Sequence, residues 1–153
     1  MTAPEPRPFD IRGPLPTGVT VLEASAGTGK TYTIAALAAR YIAAGTELKD
    51  MLLVTFTRMA TGELRERVRE RLLQAEEGLT RVVDGEPAPD DEVVALLAEG
   101  TPEEVRERRD RLTRALGDFD AATIETTHGF CLQALGGLGV VGDVERGCEI
   151  TED

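Results

Sequence analysis

Eight consecutive residues carry the clearest chemistry in this 153-residue chain: Ala24, Ser25, Ala26, Gly27, Thr28, Gly29, Lys30 and Thr31. A loop of small residues lets successive backbone N–H groups converge on phosphate oxygens. The head of the helix expected after it adds partial positive charge. Lys30 is then placed to reach the β- and γ-phosphates, and the Thr31 hydroxyl to ligate Mg2+. This is the Walker A pattern with alanine in place of its first glycine. It predicts an ATP and Mg2+ site over Ala24–Thr31; the competing reading is a glycine-rich turn with a solvated lysine.

Phosphoryl transfer needs a second carboxylate on the metal and a group that orients the attacking water. After Thr31 the apolar strands end in Thr55-Phe56-Thr57 and Thr126-Thr127-His128, and neither ends in an acid. No catalytic set is complete; Lys30 and Thr31 supply only a nucleotide-binding half-site. The two strand ends have chemistry of their own. Ligands of open α/β sheets gather at the carboxyl ends of strands. These ends offer the hydroxyls of Thr55, Thr57 and Thr127, the cation Arg58, the imidazole of His128, and the rings of Phe56 and Phe130. Hydroxyls and helix heads hold backbone phosphates, and rings stack on bases. The plainer reading of the same residues is threonine N-caps and core phenylalanines.

The elements that must position these residues follow from periodicity. Residues 1–17 hold five of the eight prolines and read as an extended lead-in. Val19–Leu22 reads as a short buried strand before the loop. Ile34, Leu37, Ala38, Tyr41 and Ile42 mark one face of a helix from Lys30 to Gly45. Met51–Phe56 is a second strand, with the unbroken apolar character of one covered by helices on both faces. A helix over 58–77 carries the stripe Ala60, Leu64, Val68, Leu72 and Ala75, and Glu63 and Arg67 are spaced for an exposed ion pair. Residues 78–90 read as a loop and 91–98 as a short helix. Thr101-Pro102-Glu103-Glu104 signals a capped helix running to Leu116. Ala122–Thr126 reads as a third strand, His128–Leu135 as a helix, and 136–153 as a glycine-rich then acidic end. Strands alternating with helices imply a parallel sheet flanked by helices. The fold class is therefore α/β, a P-loop NTPase-type sheet of about three strands and incomplete.

Lys and Arg number 17 and Asp and Glu 28, for a formal charge of −11. Residues 1–80 hold ten of each sign, whereas 81–153 hold seven basic and eighteen acidic. A self-standing basic nucleic-acid module is excluded on that balance, although the neutral first half leaves room for a local phosphate site. One histidine and two cysteines, Cys131 and Cys148, with no Cys-x-x-Cys pair, argue for reduced thiols and against zinc. No apolar run reaches the length of a membrane span, and no secretory signal pattern opens the chain. The expected compartment is the cytoplasm.

Leu22–Thr31 resembles motif I of the UvrD/Rep-like superfamily 1 helicases, and most closely their RecB-like branch, the beta subunits of exodeoxyribonuclease V. Leu53-Val54-Thr55-Phe56-Thr57-Arg58-Met59-Ala60-Thr61-Gly62-Glu63-Leu64-Arg65 is similar to that family's motif Ia. Thr123–Cys131 is similar to its next motif, usually close to Thr-Ile-His-Gly-Phe-Cys, with Thr127 where the family often has Ile. The resemblance covers about residues 20–135. It implies ATP held by residues 24–31, and single-stranded DNA met by Thr55, Phe56, Thr57, Arg58, Thr127, His128 and Phe130. It also implies RecC-like and RecD-like partners, and a role in double-strand-break repair and recombination. The family's Gln before the phosphate loop has no counterpart: the only glutamines are Gln74 and Gln133. Residues 18–136 would form the first part of a helicase ATP-binding domain, with 1–17 as lead-in and 137–153 as an acidic tail ahead of the family's inserted subdomain. Two other readings are kept: a non-catalytic P-loop fragment that binds only nucleotide or a partner, and a small P-loop kinase whose lid would draw on the arginines of 106–114.

Overall fold

The computed structural model describes residues 5–25, 27 and 29–138. Helix α1 spans Lys30–Ala44, strand β1 Leu52–Thr55, α2 Arg58–Val83, α3 Glu92–Leu97, α4 Pro102–Gly117, β2 Thr123–Thr126 and α5 Thr127–Leu138. Single 3-10 turns at Leu48–Asp50 and Phe119–Ala121 lead into the two strands. The strands pair in parallel, Leu52 opposite Thr123 through Thr55 opposite Thr126, joined by the α2–α3–α4 crossover. The result is a mostly helical α/β fold.

Helix boundaries follow from side-chain caps. The Thr57 hydroxyl accepts from the Ala60 amide at 3.1 Å and opens α2. The Asp91 carboxylate accepts from the Val93 and Val94 amides at 2.9 and 3.0 Å and opens α3. At α4 the expected capping box forms: Glu104 N donates to Thr101 Oγ1 at 3.2 Å, and Thr101 N donates to Glu104 Oε2 at 2.7 Å. Helix α1 stops at Gly45, whose φ of 117° suits only glycine, and the Gly45 and Thr46 amides bond back to the Ile42 and Tyr41 carbonyls.

The core gathers Leu64, Val68, Leu72, Ala75 and Leu79 of α2 with Val105, Leu112 and Ala115 of α4, against α1. The stripe assigned to α2 is thus the buried one, with Ala60 half-buried at its head. In α1 the buried face differs from the expected one. It runs through Ala35, Ala36, Ala38, Ala39, Ile42 and Ala43, while Ile34 is exposed and Leu37 and Tyr41 are half-buried. The small alanines let α1 lie close to α2 and α4. The lead-in is strapped onto α1: Arg40 donates to the Ile11 and Gly13 carbonyls, both at 2.7 Å, and the Tyr41 hydroxyl to that of Pro16.

Further expectations are corrected. Val19–Leu22 is not a strand: Val19 lies in a bend, no strand pairs with this stretch among the described residues, and Val19 is 98% exposed. The sheet of the described residues has two strands, not three. Strand β1 is covered on one face only: Leu53 packs on the core, whereas Leu52 and Val54 are 44% and 47% exposed. Helix α2 runs on to Val83 through the stretch expected to be loop. Gly78 does not break it; a Cβ there would lie 2.6 Å from Val94 Cγ1, so the glycine admits α3 against α2. Helix α5 starts at Thr127 and continues to Leu138, into the expected tail. Arg67 pairs with Glu70 at 3.3 Å, the neighbour one turn on, instead of Glu63. Ala26, Thr28 and residues 139–153, with Cys148 and most of the acidic tail, lie outside the described residues.

Candidate functional site

The phosphate-loop residues sit at the head of α1. Gly27 and Gly29 have φ of 79° and 83°, a left-handed geometry closed to most side chains, and a Cβ on Gly27 would meet only open space. Gly29 is the N-cap and has no side chain to satisfy the first amides of α1. Lys30 is exposed beside those amides. Among the described residues no carboxylate forms a salt bridge with Lys30. Helix-head amides without a cap from the N-cap residue, an exposed cation and a hydroxyl are the donor set that a magnesium–nucleotide phosphate requires, so these residues fit the group.

Thr31 and Tyr32 line a cleft of 400 Å³ walled by Glu63, Arg67, Glu70, Arg71 and Gln74 of α2. Arg71 is only 4% exposed. Its Nη2 donates to the Tyr32 hydroxyl at 2.9 Å, its Nη1 to Asp91 Oδ2 at 2.6 Å and to Gln74 Oε1 at 3.3 Å, and the guanidinium carbon lies 5.1 Å from the Tyr32 ring centroid. Burial pushes the Asp91 carboxyl upward, but Arg71 and the Val93 and Val94 amides outweigh it and hold Asp91 below its ordinary range.

The two strand ends meet at a second cleft of 590 Å³, lined by Phe56, Thr57, Arg58, Thr61, Glu125, Thr126, His128, Gly129 and Leu132. The register explains the meeting: Thr55 opposes Thr126, so the residues after them emerge side by side, and the Thr127 hydroxyl donates to the Thr55 carbonyl at 3.4 Å. The hydroxyls are largely engaged within the fold. Thr55 Oγ1 lies 2.6 Å from Thr61 Oγ1 and donates to the Thr57 carbonyl at 3.1 Å, Thr57 caps α2, and Thr126 Oγ1 accepts from the Gly129 amide at 3.0 Å. The capping reading therefore describes Thr57. The core reading fails for Phe56, whose ring is 93% exposed, while Phe130 is half-buried and lies outside the cleft lining. His128 is exposed. Arg65, from the motif Ia stretch, donates to the Ala122 and Ile124 carbonyls at 3.3 and 3.2 Å and ties α2 to β2.

Both clefts lie along α2. Its head, Thr57 and Arg58, walls the strand-end cleft, and Glu63 to Gln74 wall the one holding Thr31. Sequence reasoning missed Tyr32, Arg71 and Asp91. Arg71 falls on the apolar stripe by spacing, but its charge reads as solvated, and its partners are 39 and 20 residues away. Three of the five arginines of α4 are tied down: Arg111 pairs with Glu107 at 2.7 Å, Arg109 with Asp110 at 2.7 Å, and Arg108 bonds to the Leu97 carbonyl at 2.8 Å.

A left-handed glycine loop heading one helix and two parallel strand ends meeting at the head of another define a class that comparison with known families makes specific. Over residues 12–153 the chain matches the UvrD/REP helicase N-terminal domain, and it belongs to that family. It is similar to the RecBCD enzyme subunit RecB of Mycobacterium tuberculosis (strain ATCC 25618 / H37Rv), 48% identical over 147 residues, which cover 94% of this chain and 13% of that protein. RecBCD enzyme subunit RecB of Haemophilus influenzae (strain ATCC 51907 / DSM 11121 / KW20 / Rd) is 38% identical over 128 residues, 76% of this chain and 10% of that protein. The subunit of the same name from Escherichia coli (strain K12) is 34% identical over 137 residues, 82% and 11%. The chain thus spans about one-eighth or less of the length of these relatives. Among the described residues no helix is long and apolar enough to cross a membrane.

Proposed function

We propose that this chain is the ATP-binding opening portion of a RecB-like, ATP-dependent DNA helicase and exonuclease subunit that acts on broken duplex ends in recombination and repair. Residues 24–31 hold the nucleotide phosphates: the α1 amides and Lys30 neutralise the oxygens, and the Thr31 hydroxyl is the chain's own Mg2+ ligand. The metal, when bound, draws charge from the phosphates. In this reading 18–136, extended by the end of α5 to Leu138, is the first part of the ATP-binding domain, 1–17 the lead-in to it, and the rest an acidic tail ahead of the family's inserted subdomain. The strand-end cleft takes single-stranded DNA, with the Phe56 ring stacked on a base and Arg58, Thr127 and His128 toward the sugar–phosphate chain. Thr55 and Thr57 shape that edge through their internal bonds, and Phe130 supports it from a half-buried position. RecC-like and RecD-like chains are its partners in the whole enzyme.

The observation that carries this reading is the uncapped, left-handed glycine head of α1 next to an exposed Lys30. The test is calorimetric titration of the chain with Mg·ADP, beside Lys30→Ala. Weak binding by the wild type and none by the variant are expected; equal affinity in the two would remove the nucleotide site. The second reading, a fragment that binds nucleotide without turning it over, is favoured for the chain alone by its strands, which end in Thr55 and Thr126 and not in a carboxylate.

A further inference from the structure

Two arginines are buried among the described residues, and they do different work. Arg40 spends its bonds on the carbonyls of Ile11 and Gly13 and fastens the strap. Arg71 lies between three elements: it starts in α2, bonds to the Asp91 cap of α3, and bonds to the hydroxyl of Tyr32 in the first turn of α1. Tyr32 directly follows Thr31. Burying a guanidinium is costly, and apolar side chains in place of a whole buried ion pair commonly pack as well or better. One of its polar atoms, Nε, is buried with no hydrogen-bond partner, which adds to that cost. Packing stability alone is therefore a poor account of a cation at this place. What the guanidinium supplies, and an apolar side chain cannot, is direction. Its planar fork fixes the phenol against Asp91, and the charge lies 5.1 Å from the ring centroid.

We propose that Arg71 is a positioning residue for nucleotide binding: by clamping Tyr32 to Asp91 it fixes the first turn of α1, and with it Lys30 and Thr31, in register with α2. The proposal rests on the nucleotide reading of residues 24–31. Its consequence is that the phosphate site and the strand-end cleft are held at a set spacing along one helix, because the same α2 begins with Thr57 and Arg58.

The experiment uses the 153-residue chain, with calorimetric Mg·ADP titrations and thermal melts of wild type, Arg71→Met, Tyr32→Phe and the double variant. Loss of an oriented contact of this kind is expected to weaken Mg·ADP about fivefold or more in each single variant. The double variant should be no weaker than Arg71→Met, since both changes cut one link. The melting midpoint of Arg71→Met should fall, because Asp91 loses its buried partner, so Kd is compared per folded molecule. A purely structural cation would lower the midpoint alike but leave Kd per folded molecule unchanged, and that result overturns the proposal. Unchanged Kd in Tyr32→Phe also overturns it, and this gentler variant decides the matter if Arg71→Met does not fold. If the wild type binds no Mg·ADP, the nucleotide reading fails and the positioning role falls with it; binding by the wild type with indifferent variants removes only the positioning role.

Discussion

Lys30 and Phe56 are the two side chains whose exposure matters most, and they make separable predictions. Lys30→Ala leaves phosphate charge facing backbone dipoles alone, a loss of about 1.5–3 kcal/mol for a charge-assisted bond, enough to take weak Mg·ADP binding out of calorimetric range. Phe56→Ala removes a ring that packs on almost nothing in the folded chain. It should leave the melting midpoint unchanged and weaken single-stranded DNA by about 1–3 kcal/mol per stacked base, read as fluorescence anisotropy of a labelled oligonucleotide. A lower midpoint with no change in DNA affinity would make Phe56 a structural residue. At this scale the sequence is informative where chemistry demands rare combinations. The loop from Ala24 to Thr31 and the paired strand ends can be named because small residues before Lys-Thr, or hydroxyls beside a ring and an imidazole, have few other uses. Arg71 cannot be named, since a charged residue on a helix predicts solvent, and only the fold brings Tyr32 and Asp91 to it.

The elements show where local rules suffice and where packing overrides them. The box at Thr101 and Glu104 is legible because both partners lie within one turn. Gly78 misleads for the converse reason: its neighbours, Val94 and Pro89, come from beyond the end of its own helix. Helix propensity alone says that Gly78→Ala should stabilise α2 by about 1 kcal/mol. The contact says otherwise, because the new Cβ would sit 2.6 Å from Val94 Cγ1 and 3.0 Å from Cγ2. Overpacking of this kind costs about 1–3 kcal/mol, so urea titration should show a lower midpoint; a higher one would mean that α3 shifts freely. Asp91 predicts the pH response of the same junction. Its folded pKa is depressed, so its contribution to stability is complete above the unfolded carboxylate value of about 3.9 and drains as pH falls through the lower folded value. Asp91→Asn should lower stability at neutral pH and flatten that acid limb. An unchanged slope below about pH 4 would show that Asp91 titrates alike in both states.

For the whole molecule the deciding quantities are its charge and its uncovered apolar surface. The expected three-stranded sheet requires a ladder partner for Val19–Leu22, and no property of those four residues shows whether one is present. The fold leaves instead an open outer face on β1 at Leu52 and Val54, and α5 with no buried residue, exposing Leu132, Leu135 and Leu138. With no carboxylate ending either strand, the chain alone should hydrolyse ATP negligibly. Turnover of about 1 per second with single-stranded DNA, modest for an enzyme, would refute the non-catalytic reading. Two salt responses of opposite sign then separate the surfaces. DNA in the strand-end cleft should be released as salt rises, because its affinity comes from phosphate neutralisation. Self-association through the apolar face should grow, since the formal charge of −11 repels a second copy until salt shortens its reach from about 10 Å at 0.1 M to about 3 Å at 1 M. Val54→Lys tests the assignment to β1. Val54 opposes Glu125 in the register, so the new cation gains a cross-strand partner, worth about 0.2–1 kcal/mol, and the fold should tolerate it. Sedimentation equilibrium should show wild-type mass rising with salt and the variant's mass staying near 16.5 kDa. A wild type that remains a monomer at every salt concentration, with a sharp reversible melt, would mean that Leu52 and Val54 are tolerated in water and that the open face of β1 drives no association.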